Sequence, residues 1–227
     1  MLAHERPGVD VRFLDHGGDL GVVPHLAVSI DAYLALIDEL IVRIADRNAS
    51  PASALPAELQ TRAREAMRSW EPDQVVAITY GGCPPARGIS IALNLPLAYL
   101  GAERYAPASA DDRIKMHGGE KVRFARDLLT TRPGFGRDVL LVDDLTDDGR
   151  TFSESATWLY RHPQFGGEDL TIRTACLWRK SHAMHHPAFH VDDVVPLLLP
   201  DSAREAMPWI DQPLDARYFF PMILRPS

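Results

Sequence analysis

Apolar positions along the chain fall into two alternating patterns. Ile30, Leu34, Ile37, Leu40, Ile41 and Ile44 recur at helical spacing, with Arg43, Asp46 and Arg47 opposite them. This predicts an amphipathic helix ending near Arg47, with Ser29 as its N-cap and Asp31 in its first turn. Gln74–Tyr80 is instead a short β-branched run that enters Gly81-Gly82, the pattern of a buried strand leading into a tight loop. Further strands are expected at Val9–Leu14, Pro96–Leu100, Val139–Val142 and Leu170–Trp178. Helices are expected from Pro56 to near Trp70, over Pro85–Leu93 and over Thr151–Tyr160. Residues 101–120 read as a mobile loop, and the last fifth of the chain as irregular. Short apolar strands alternating with helices imply βαβ units, hence an α/β fold with a mainly parallel twisted sheet flanked by helices. Ligands of such sheets sit at the carboxyl ends of the strands. Attention therefore falls on the residues after Tyr80 and Val142.

Composition narrows the class. The 227 residues are 46% hydrophobic and 24% charged, ordinary for a globular protein. A net charge of −7 argues against sequence-independent nucleic-acid binding. With only about 30 residues ahead of the first helix, a separate DNA-binding domain is not expected. There is no apolar run of membrane-spanning length and no apolar leader core in MLAHERPGVDVRF, so no membrane association is expected and the cytoplasm is the expected location. Cys83 and Cys176 do not make a disulfide framework and read as free thiols. A nucleophilic role for Cys83 finds no histidine near it in sequence, so a buried structural thiol is expected.

The chemistry concentrates in VLLVDDLTDDGRTFSES, Val139–Ser155. Asp143 and Asp144 would emerge at a strand end, and a helix opening at Thr151 would offer unpaired amides and a positive dipole end to an anion. Two carboxylates beside such a terminus suit ribose hydroxyls, or Mg²⁺ carrying a phosphorylated ligand. A calcium EF-hand is excluded. A loop starting at Asp144 would place Ser155 where a bidentate Glu is needed, and a strand precedes it.

VLLVDDLTDDGRT resembles the 5-phosphoribosyl 1-pyrophosphate (PRPP) signature of the type I phosphoribosyltransferases: an apolar strand, two acids, two variable residues, then Asp-Thr-Gly-x-Thr. AITYGG, Ala77–Gly82, stands where that family has its pyrophosphate loop. WIDQPLD, Trp209–Asp215, is similar to the C-terminal base-binding stretch of the xanthine-guanine phosphoribosyltransferases. The resemblance implies transfer of a phosphoribosyl group from PRPP to a purine base of the xanthine, guanine or hypoxanthine type, as in purine salvage. Pyrophosphate would be released, with Mg²⁺ as cofactor.

The same resemblance implies roles. Asp143 and Asp144 would face the ribose hydroxyls directly or through Mg²⁺, and Asp147 would assist proton transfer near N7 of the base. Asp147, Asp148, Gly149, Arg150 and Thr151 would hold the 5′-phosphate, and Tyr80, Gly81 and Gly82 the pyrophosphate. Arg173, Trp209 and Ile210 would meet the base, and Asp215 would lie near the metal. The implied organisation is an N-terminal extension (1–28), a core (29–180) and a small C-terminal base-binding hood (181–227) in a homo-oligomer, dimer or tetramer. Lys115, His117, Gly118, Gly119 and Lys121 would lie in a loop closing over PRPP. His182, His185, His186, His190, Asp192 and Asp193 read as a polar loop rather than a zinc site, because their spacing presents no regular face.

Three positions depart from the family pattern. Asp148 replaces a Thr or Ser; a carboxylate about 5 Å from a phosphate charge costs about 3 kcal/mol at an effective dielectric of about 20, roughly a hundredfold in affinity unless it is neutralised. Tyr80 stands in place of an Arg or Lys, and Arg173 in place of a Lys. These departures motivate two alternatives on the same scaffold: a non-catalytic nucleotide- or PRPP-binding regulator, or a related transferase with a different acceptor.

Overall fold

Strand β3, Gln74–Ile78, is buried at all five positions. Its one polar residue, Gln74, gives its side-chain amide to the carbonyls of Val75 and Pro96, both at 3.0 Å, so the strand enters the interior with no unpaired donor there. The computed structural model describes residues 7–15, 22–45, 71–103, 122–146, 148–163, 169–179, 193–194 and 209–213. The other elements are β1 (Val9–Asp15), β2 (Val22–Val28), α1 (Ile30–Ala45), α2 (Cys83–Leu93), β4 (Leu97–Leu100), β5 (Ala102–Glu103), β6 (Arg123–Phe124) and β7 (Leu129–Thr130). They continue with β8 (Asp138–Thr146), α3 (Arg150–Arg161), β9 (Thr171–Arg179), β10 (Asp193–Val194) and β11 (Trp209–Asp211).

Six strands form the main sheet in the order β10-β9-β8-β3-β4-β7. Every pairing is parallel except β4 with β7. The α/β architecture with a mainly parallel sheet is therefore the one expected. The unit β3–α2–β4 steps one way across the sheet and β8–α3–β9 steps the other. The strand order reverses between β3 and β8, and there the outgoing loops diverge and leave a crevice.

Alternation along the strands sends side chains to two cores. Val75, Ala77, Leu140, Val142, Ala175 and Leu177 pack with Leu36, Ile37 and Leu40 of α1 and Ala86 and Ile89 of α2. Val76, Ile78, Val139, Leu141 and Cys176 pack with Phe152 and Leu159 of α3. Each fully buried Leu or Ile contributes about 1.5–3 kcal/mol relative to exposure. The Ser29 hydroxyl accepts the Ala32 N–H at 3.2 Å, the cap expected for α1. Helix α2 starts two residues earlier than the sequence suggested, with prolines in its first turn, where a missing N–H costs nothing.

Strand β8 differs more. It runs past Val142 to Thr146, because β9 continues to pair with it: Asp143 opposite Cys176, Leu145 opposite Trp178, Thr146 opposite Arg179. The acids therefore lie inside a hydrogen-bonded ladder and not in the loop after it.

Outside the main sheet, β1 and β2 form an antiparallel pair to which β11 adds parallel to β2. Segments from the expected N-terminal extension and C-terminal hood thus share one small sheet. Strand β2 was hidden by Pro24, which sits beyond the 25–27 stretch that β11 covers, where no ladder donor is needed on that side. Strands β5 and β6 pair with each other. The helix expected from Pro56 to Trp70, the loop carrying Lys115–Lys121 and the His182–Asp192 cluster lie outside the described residues, as do Asp147 and Asp215. Among the described residues no helix is long and apolar enough to cross a membrane.

Candidate active site

The crevice at the switch point is lined by the turn after β3 and by the acidic end of β8. The turn is tight: Gly82 N–H reaches the Ile78 carbonyl at 3.0 Å and Cys83 N–H the Tyr80 carbonyl at 3.2 Å, and the Thr79–Tyr80 peptide is cis. It lies directly on β8. A β-carbon at Gly81 would overlap the Asp144 carboxylate, and one at Gly82 would come 2.9 Å from the Asp143 Cα. The close approach that glycine permits here is to β8, at the Asp144 carboxylate for Gly81 and at the Val142 carbonyl for Gly82.

Asp143 is buried, and its Oδ1 accepts the Asp144 N–H at 2.9 Å. Burial pushes its carboxyl well above the usual aspartate range, and the neighbouring Asp144 charge adds to this; backbone hydrogen bonds from Asp144 and Gly82 pull the other way and lose. Asp144 is half-buried and accepts a hydrogen bond from the side-chain amide of Gln212, just beyond β11. The acid pair also marks its neighbours. Burial first, then the two carboxylates, raise the Tyr33 phenol and the Cys83 and Cys176 thiols. Both shifts work against formation of the thiolate. Cys83, expected to be buried, is half-buried, at the start of α2; Cys176 is buried and donates to the Trp178 carbonyl at 3.2 Å.

Helix α3 begins beside the crevice. Gly149 precedes it with φ 77° and ψ −2°, a left-handed conformation that only glycine adopts readily, and offers no side-chain cap. The helical ladder starts with Ser153 N–H to the Gly149 carbonyl at 3.0 Å, so the amides of Arg150, Thr151 and Phe152 precede it. The Asp148 Oδ1 accepts the Arg150 N–H at 3.0 Å, and its Oδ2 lies 4.0 Å from the Arg150 guanidinium. The carboxylate expected to repel phosphate is thus turned onto its neighbour's amide and offset by that neighbour's charge.

Strand register decides the base side. Arg173 lies opposite Leu140, three residues before the level of Asp143, which places it about 10 Å toward the amino ends of the strands. The structure does not bring it to the crevice. Arg179, opposite Thr146 at the carboxyl end of β9, occupies the level expected of Arg173. Arg179 and Gln212 are the two residues that the sequence reading missed. A signal for the first was available, since the carboxyl end of a parallel strand is the ligand end. Trp209 and Ile210 lie in β11; Ile210 is 7% exposed and packs in the main core. Tyr80, by contrast, is 89% exposed at the crevice mouth.

This is a doubly wound α/β fold with an acid pair at its switch point and a helix terminus alongside. The phosphoribosyl transferase domain family matches residues 53–203, and the chain belongs to that family. Among curated proteins none matches the chain. Similar solved structures include a purine phosphoribosyltransferase from Pyrococcus horikoshii, 20% identical, TM-score 0.48, covering 81% of this chain and 89% of the other. The xanthine-guanine-hypoxanthine phosphoribosyltransferase of Helicobacter pylori is 18% identical, TM-score 0.46, covering 82% and 90%. A hypothetical protein from Neisseria gonorrhoeae with bound ppGpp is 19% identical, TM-score 0.48, covering 83% and 87%.

Proposed function

We propose that the protein transfers the phosphoribosyl group of PRPP to a purine base of the xanthine, guanine or hypoxanthine type and releases pyrophosphate. The observation carrying this reading is the acid pair Asp143–Asp144 on β8, set against the turn after β3 and leading into α3, in a chain of this family. Asp144, with Asp143 beneath it, faces the ribose hydroxyls. The amides opening α3 and the Thr151 hydroxyl hold the 5′-phosphate, where a helix terminus favours negative charge. Tyr80 and the Gly81–Gly82 turn border the pyrophosphate. Arg179 donates to the 6-oxo group of the base, which Trp209 and Ile210 border. The ribosyl carbon–oxygen bond to pyrophosphate breaks and the bond to the base nitrogen forms, while Asp147 accepts the proton that the base loses. The chain's work is to align the two reactants and to stabilise the developing cation with fixed carboxylates.

The donor set also fits Mg²⁺. Two carboxylates, Asp143 and Asp144, stand at one strand end. That suits an ion that takes its remaining oxygens from phosphates and water, with Asp143, Asp144 and Asp215 as the protein's share. When bound, Mg²⁺ would neutralise the pyrophosphate leaving group. We assign the active form to a homo-oligomer in the cytoplasm.

The test is turnover of a purine panel with PRPP and Mg²⁺. Nucleoside monophosphate and pyrophosphate formed in equal amounts are the expected result. Binding of PRPP by calorimetry with no turnover on any base would instead favour the regulator reading, which the exposed Tyr80, standing where the family has a cation, supports.

A further inference from the structure

Asp144 is held from three directions. Gly81 backs its carboxylate with no room for a β-carbon. Its own N–H is tied to Asp143 Oδ1 at 2.9 Å. The third hold comes from 68 residues away, where Gln212 Nε2 donates to its Oδ2. Gln212 follows β11 directly, and β11 is fixed in turn by its ladder to β2 and by Ile210 in the main core. Among the described residues, this side-chain contact links the three-stranded sheet to the acid pair.

We infer that Gln212 is a positioning residue: its amide both seats β11 against the main sheet and orients the Asp144 carboxylate toward the crevice. The choice of an amide matters. A lysine or arginine at this place would cancel part of the acid pair's charge and compete with the ligand. A glutamine donates one hydrogen bond to a charged acceptor and leaves the net charge intact. Each element thereby reports on the other: when Asp144 turns away, β11 loses an anchor, and when β11 lifts, Asp144 loses its orientation. The seating role stands on the geometry alone, whereas the orienting role rests on the phosphoribosyl-transfer reading.

The experiment uses the full chain and two readouts. The first is amide hydrogen exchange at Ile210 and Asp211. Removing a hydrogen bond to a charged group should speed local opening by about tenfold in both Gln212→Leu and Gln212→Glu. The double variant Gln212→Glu with Asp144→Asn exchanges donor and acceptor, and should restore protection to within about threefold of the parent, as expected for directly coupled residues. Unchanged exchange in Gln212→Leu, or no recovery in the double variant, overturns the seating role. The second readout is calorimetric affinity for ribose 5-phosphate in metal-free buffer, expected to weaken about tenfold in Gln212→Leu. Equal affinity overturns the orienting role. A parent protein that binds no ribose 5-phosphate overturns the phosphoribosyl reading and the orienting role with it, while the exchange rates still decide the seating role.

Discussion

Gly81 and Asp144 are in such close apposition that the glycine's missing β-carbon and the aspartate's carboxylate would occupy the same space. One residue comes from the turn after β3 and the other from β8, so this contact sets how closely the turn lies on the acid pair. Gly81→Ala must push the carboxylate aside against the Gln212 hydrogen bond. We expect a stability loss of about 1–3 kcal/mol from overpacking. Turnover should fall about a hundredfold, because a displacement on the order of 1 Å at a reacting centre costs about that much. Denaturant unfolding and steady-state kinetics on the same preparation separate the two, and unchanged kcat would show that the contact does not shape the site.

Asp143 sets a pH dependence. Its folded-state pKa is raised by burial and by Asp144. A raised carboxyl binds its proton more tightly in the folded state than in the unfolded one. Its stabilising contribution is therefore full below the ordinary aspartate range and is lost as pH rises through the folded value. Asp143→Asn keeps an oxygen for the Asp144 N–H and cannot ionise. In the ligand-free protein this variant should melt a few degrees above the parent at pH 8 and level with it near pH 4, while its turnover falls. Parallel melting curves across that range would refute the assignment.

Asp148→Thr restores a hydroxyl donor beside α3 and removes a negative charge. The Asp148 carboxylate is already engaged by Arg150, so the gain in affinity for a 5′-phosphate should be about tenfold rather than the hundredfold of an unpaired charge. The helix loses a favourable charge at its positive end, at a cost of about 0.3–1 kcal/mol. Calorimetry with ribose 5-phosphate and thermal melting measure the two effects, which run in opposite directions.

Tyr80→Arg places a cation at the crevice mouth. The position is 89% exposed, so stability should stay within about 0.5 kcal/mol. Affinity for pyrophosphate should rise about two- to fivefold at low salt, the range of an exposed ion pair, and the gain should shrink as salt is added. A gain that survives high salt would mean that the introduced guanidinium acts by something other than its charge.

The elements legible in the sequence are those whose surroundings impose a period. Helix α1 could be read because one of its faces is covered, and β3 because both of its faces are. The acid pair was legible as chemistry, since adjacent carboxylates after an apolar run need a partner. Its placement inside β8 was not, because pairing with β9 extends a strand whose own residues look like its end. Arg173 shows the same limit. The residues of β9 are plain in sequence, but which of them stands level with Asp143 is a register, set by the neighbouring strand. Gln212 lies within the WIDQPLD stretch, but its contact with Asp144 was not legible, because an amide names no partner and this one is distant in the chain. Strand β2 was obscured for a similar reason: the segment that completes its ladder lies nearly at the other end of the sequence.

That last pairing has a consequence for biogenesis. A ribosome delivers Val22–Val28 long before Trp209–Asp211, so β2 must wait through the synthesis of the intervening chain for the neighbour that covers one of its edges. Contacts so remote in sequence form slowly and leave a nascent chain exposed to wrong partners. The acid pair is assembled from β3, β8 and β9, but its tether to Gln212 arrives only after all three have been made, so a nascent chain that has reached β9 holds the acids without that contact.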